Sequence, residues 1–80
     1  MTYEEIVCAL RETAIAFYQE RIQDGLNSME SVANASFYVF AQDNPIIRVM
    51  DAIDDGDYVL AADILNYDML VPVERRLNDE

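Results

Sequence analysis

Histidine and lysine are missing from this chain, cysteine occurs once, and glycine and proline occur twice each. Each shortage closes a door. Without histidine there is no imidazole base for a serine or cysteine nucleophile. An EExxH-type di-metal site in a helical bundle lacks its nitrogen ligands for the same reason. One cysteine cannot close an internal disulfide, and Cys8, set among apolar helical positions, reads as an inert core thiol in a reducing compartment. The isolated Gly25 and Gly56 match neither GxGxxG nor GxxxxGKS/T, so no loop is built to cradle a nucleotide. No cofactor and no resident metal is expected.

Positive charge is also scarce. Asp and Glu total 16 against 5 arginines, giving a formal charge of −11. Nucleic acids and anionic membranes need basic surfaces, so neither is an expected direct partner. A basic protein partner suits this balance better. The longest apolar stretch is interrupted by Asp63 and Asp68 and falls short of the roughly 20 apolar residues that cross a bilayer. The opening MTYEE has neither the basic region nor the apolar run of a secretion signal. The expected setting is the cytoplasm.

The chain does contain helical periodicity. Eighty residues make one domain, and a lone core of that size is marginal without a disulfide, a metal or oligomerisation. With the first two disfavoured, self-association gains weight. Four helices are expected, over about 3–24, 29–42, 45–54 and 57–77, as a four-helix bundle or an orthogonal helical array. Thr2 and Glu5 form a capping box for the first, Gly25 reads as its stop, and Leu26 then folds back on its last turn. Asn27 or Ser28 caps the second. Its segment SFYVF is rich in strand formers, but no partner strand is evident. Tyr38 points away from its inner face, towards solvent or a partner. Asn44 and Pro45 open the third, Asp55–Gly56 close it, and Asp57 caps the fourth.

The fourth helix is apolar on more than one side, which marks a helix enclosed by others. Tyr58, Ala61, Ala62, Leu65, Met69 and Val73 form one stripe. Leu60, Ile64, Tyr67 and Val71 form another, the first candidate for a two-fold homodimer contact. Pro72 lacks an N–H and crowds the Asp68 carbonyl. Either the helix kinks there, or it stops near Leu70 and a short helix restarts at Pro72.

Several acidic positions invite chemistry. Asp51, Asp54, Asp55 and Asp57 suggest calcium, but Ile53 breaks the EF-hand frame and no Glu follows at its twelfth position. A helix end followed by a cap explains the cluster. Asp63 and Asp68 are five residues apart and point to different sides, so they are not an acid–base dyad. Arg21 lies in line with the first helix's apolar stripe. Either its stem packs on the core with its head in water, or it pairs in a buried contact with Asp63 or Asp68.

The segment GDYVLAADILNYDMLVP, Gly56 to Pro72, resembles a pattern GDYVLxADxLxYxxxxP of small, acidic, uncharacterised bacterial helical proteins. The matching positions are Gly56, Asp57, Tyr58, Val59, Leu60, Ala62, Asp63, Leu65, Tyr67 and Pro72. The resemblance covers about a fifth of the chain and brings no activity with it. The expected function is therefore a non-enzymatic protein–protein interaction module that self-associates as a homodimer. The alternative is an acidic mimic of nucleic acid that blocks a basic groove.

Overall fold

Cap chemistry decides where the first helix begins. In the computed structural model, which describes residues 2–79, Thr2 accepts from the Glu5 amide and the Glu5 carboxylate accepts from the Thr2 amide. This reciprocal pair satisfies two donors that a helix start leaves orphaned. The helix α1 runs Tyr3–Tyr18, six residues short of the Asp24 end expected from sequence. It stops because Glu20 takes a left-handed conformation, with φ 61°. The Arg21 amide then reaches back to the Ala16 carbonyl at 2.8 Å, and the Glu20 amide to Phe17 at 3.2 Å. That is the Schellman closure, formed here without glycine.

The second helix, α2, therefore starts early and runs Ile22–Val39, rather than from Met29 to Gln42. Gly25 is not a stop. It lies inside α2, buried against the Phe17 ring. A Cβ on Gly25 would sit 2.5 Å from Phe17 Cε1, so glycine is needed for close approach of two helices. Asn27 and Ser28 are interior residues, not caps: Asn27 accepts from Gln23 and Ser28 donates to the Asp24 carbonyl. Leu26 faces outward. At the far end, Arg76 donates to the Val39 carbonyl at 2.9 Å and lies over the Phe40 ring, which satisfies one of the last carbonyls of α2.

Helix α3 spans Ile46–Asp54. Asn44 accepts from the Ile46 amide and donates to Ser36 Oγ, so one side chain both caps α3 and ties it to α2. Gly56, φ 74°, closes α3 with the same Schellman pair, Asp57 N to Ala52 O and Gly56 N to Ile53 O. Asp57 then accepts from the Leu60 amide, as its position before an apolar run implied.

The C-terminal run is helical from Tyr58 to Asp79 in successive parts: α4 (Tyr58–Asp63), a π-helical stretch (Ile64–Leu70) and α5 (Val71–Asp79). It does not stop at Leu70. Val71 keeps helical angles, φ −60° and ψ −48°, and its amide bonds five residues back to Asn66. A regular α-turn would set the Pro72 ring against the Asp68 carbonyl. The wider turns before it shift that carbonyl out of register and let the helix pass through.

All regular structure among the described residues is helical, so the molecule is all-α. Helix α1 packs against α2 and the whole C-terminal run, and α3 packs against α4 and the π stretch. The core holds Leu10, Phe17, Val32, Ile46, Val49, Leu65, Met69 and Val73. Phe17 stacks on Tyr58 with ring centroids 5.7 Å apart. Among the described residues, no helix is long and apolar enough to cross a membrane.

Candidate functional site

Helix α3 has three distinct sides. Ile46, Val49 and Ala52 are buried in the core. Ile47 and Met50 are exposed on one flank. Arg48, Asp51 and Asp55 occupy the other, at the i, i+3, i+7 spacing of one helical face. That last flank borders an open groove of about 510 Å³. Ala52 joins it from α3, and the opposite wall is built by Leu60, Asp63, Ile64, Tyr67 and Asp68.

The floor is apolar and the rim is acidic. Leu60 is 46% exposed and Tyr67 64% exposed, while Ile64 is buried at 8%. Arg48 reaches across from α3 and its Nη2 meets Asp68 Oδ2 at 3.0 Å. Arg48 is largely and Asp68 partly solvated, so this ion pair contributes little to stability. Asp63 accepts a hydrogen bond from the Tyr18 phenol of α1. Partial burial, with the Asp63 hydrogen bond and charge behind it, pushes the Tyr18 phenol up to about 12. Asp51 and Asp55 have no cation within ion-pair distance among the described residues.

The sequence-derived candidates divide between this groove and other surfaces. Leu60, Ile64 and Tyr67 line it. Val71, on the same expected stripe, is half-buried beyond it. The π turns carry the chain out of α-helical phase, so the stripe does not stay on one side. Tyr38 is 85% exposed on α2 and does not line the groove. Arg21 does not meet Asp63 or Asp68. It lies at the α1–α2 turn, half solvated, donating to Gln19 and pairing with Asp24 at 3.3 Å. The early end of α1 removes it from the helical face that pointed to those aspartates.

Cys8 is also corrected: it is exposed, not core. Its thiol donates to Glu12 Oε1 at 3.4 Å, and that hydrogen bond, with the carboxylate charge, raises its pKa. A thiol held in its protonated form is a poor nucleophile.

Arg48 and Tyr18 have no site role in the sequence reading, and Asp51 and Asp55 enter it only within the acidic cluster weighed for calcium and explained as a helix end and cap. The spacing of Arg48, Asp51 and Asp55 on one face of α3 is a visible signal. That this face looks onto Leu60 and Tyr67 is fixed only by packing. Among the described residues, no three acidic or thiol groups converge as metal ligands would. Comparison with known proteins finds no matching family model, no matching curated protein and no matching solved structure.

Proposed function

We propose that this chain is a non-enzymatic protein-interaction module and that the groove between α3 and the C-terminal run is its binding surface. The observation that carries this reading is the exposure of Leu60 and Tyr67 in the lining of an open groove. Large apolar side chains that line a concave surface and are rimmed by polar groups mark binding sites rather than ordinary surface. Two ionisable groups favour the same reading. Tyr18 and Cys8 both hold their protons more tightly than usual, the opposite of what a base or nucleophile near neutral pH requires. The architecture behind the proposal is a small bundle with the C-terminal run at its centre and its last turns redirected at Pro72. Its setting is the cytoplasm, and the resemblance to small acidic bacterial helical proteins belongs to the same proposal.

A photocrosslinking side chain in place of Tyr67 tests the reading in cells that make the protein. The expected result is a discrete protein adduct, absent when the same group replaces Glu5 on the first turn of α1. No adduct, or the same smear from both positions, would refute it.

Self-association fits a different face. A two-fold contact through the groove would bring Asp51, Asp55 and Asp63 towards their own images, and facing like charges are unfavourable. Leu26, Met29 and Ala33 of α2, with Met50 and Ile53 of α3, line a second and mainly apolar hollow of about 260 Å³, with fewer carboxylates, Glu30 and Asp54, than the groove has. Phe37 of α2 and Ile47 of α3 are also exposed. We place the homodimer contact on this α2–α3 face. Sedimentation across micromolar concentrations is expected to show a dimer that Met50→Lys dissociates. A wild-type monomer throughout would remove the dimer and leave the groove reading in place.

A further inference from the structure

The groove between α3 and the C-terminal run already contains one guanidinium. Arg48 extends over it and rests on Asp68. Around that contact stand Asp51 and Asp55 without a cation among the described residues, and Asp63, whose described partner is a neutral phenol. The carboxylates on the rim thus outnumber the cation among them. Tyr67 stands largely free beside them, offering a ring face to a planar cation. The floor between the charges is Ala52, Leu60 and Ile64.

We propose that the occupant is an arginine-bearing segment of a partner protein, with an apolar residue next to the arginine, and that Arg48 is an internal competitor for the same carboxylates. This rests on the groove being the module's binding surface. Charge complementarity selects a cationic segment over a neutral one, because the surplus rim carboxylates gain a counter-charge only from outside. Arginine is favoured over lysine. Its planar guanidinium stacks on an aromatic ring while donating in parallel to a carboxylate, and it is more weakly hydrated than an ammonium. The neighbouring apolar residue covers Leu60, which is otherwise half open to water. Arg48 and the incoming arginine compete because both are drawn to the same rim, and Asp68 lies within reach of both. Removing the Arg48 cation therefore leaves the rim more negative and the entry open.

The test uses the isotope-labelled full chain and three matched synthetic peptides. One carries two Arg-Leu pairs, the second has citrulline at each arginine, and the third has lysine there. Citrulline keeps the shape and loses the charge. The expected result is binding by the arginine peptide at least tenfold tighter than by the citrulline peptide, with the lysine peptide between them. Shifts should concentrate on the Tyr67 and Asp63 amides and the Arg48 Nε–H. Asp55→Asn with Asp63→Asn should weaken binding about tenfold with amide dispersion unchanged, and Arg48→Gln should tighten it severalfold. Equal binding of the arginine and citrulline peptides in the groove would overturn the arginine inference and leave the module reading intact. Weaker binding by Arg48→Gln would overturn the competitor role. No groove shift with any peptide at millimolar concentration would overturn both the inference and the groove reading.

Discussion

At the scale of single residues, two glycines and one glutamate show how much one Cβ decides. Gly25 sits in the interior of α2, where alanine would gain about 1 kcal/mol of helix propensity. A Cβ there would stand 2.5 Å from a Phe17 carbon. Phe17 is 1% exposed and stacked on Tyr58, so making room means displacing its ring from that stack, and overpacking of this kind costs about 1–3 kcal/mol. The clash wins, so Gly25→Ala is expected to lower the urea midpoint, and a rise would show that the α1–α2 contact is looser than described. Glu20 and Gly56 occupy equivalent left-handed positions, φ 61° and 74°, after successive Schellman closures. A side chain there costs about 1 kcal/mol. Glu20→Gly should therefore raise the melting temperature by about 4–8 °C per kcal/mol gained. Gly56→Ala should lower it by a similar amount, although the added methyl would meet nothing within 4 Å. Shifts of the same sign for both variants would contradict a shared backbone origin.

At the scale of elements, α1 and the C-terminal run are tied by Tyr18 and Asp63. The phenol is raised from 10.0 to about 12, first by burial and then by Asp63. The unfolded chain releases that proton near pH 10, while the folded chain keeps it. This contribution is therefore whole below pH 10 and is lost as pH rises from 10 to about 12. Absorbance titration of tyrosinate should contain a late-ionising component from Tyr18. Tyr18→Phe should remove that component and flatten the alkaline fall in stability; an unchanged titration curve would dissociate the shift from this pair. The elements themselves were unequally legible. The Thr2–Glu5 box, the Asp57 cap and the bounds of α3 follow from local cap chemistry, which a sequence carries on its face. The α1–α2 boundary does not, because Gly25 serves packing against Phe17, and the true stop falls on a glutamate with no turn signature. The π stretch was hidden for a related reason: Pro72 marks a disturbance, but which turns widen depends on what Leu65, Met69 and Leu70 can bury. Half of the groove was readable as the Leu60–Ile64–Tyr67 stripe. The other half, Arg48, Asp51 and Asp55, shares a helical face in the sequence, but only the docking of α3 brings that face opposite the stripe.

At the scale of the whole molecule, a charge of −11 is held within extents of 36 × 22 × 19 Å. At about 10 mM salt the screening length is roughly 30 Å, so carboxylates on opposite sides still repel one another; at 0.15 M it is about 8 Å and that repulsion is confined to neighbours. Salt also weakens the attractive pairs Arg11–Glu74, Arg21–Asp24 and Arg48–Asp68. Those pairs are solvent-exposed, and pairs of that kind contribute about 0–1 kcal/mol each. With 16 acids against 5 arginines, like-charge pairs outnumber opposite-charge pairs over the molecule, and compaction is what their repulsion opposes. Raising sodium chloride from about 10 mM to 150 mM should therefore stabilise the fold, by several degrees in a melting experiment. The same screening should favour dimerisation through the α2–α3 face and weaken an arginine peptide in the groove, so the two associations should respond to salt in opposite directions. Measuring melting, sedimentation and peptide affinity along one salt series separates the three effects. A melting temperature that falls with salt would mean that the few ion pairs outweigh the surplus of carboxylates. Peptide binding that is indifferent to salt would mean that the acidic rim takes no part in holding its ligand.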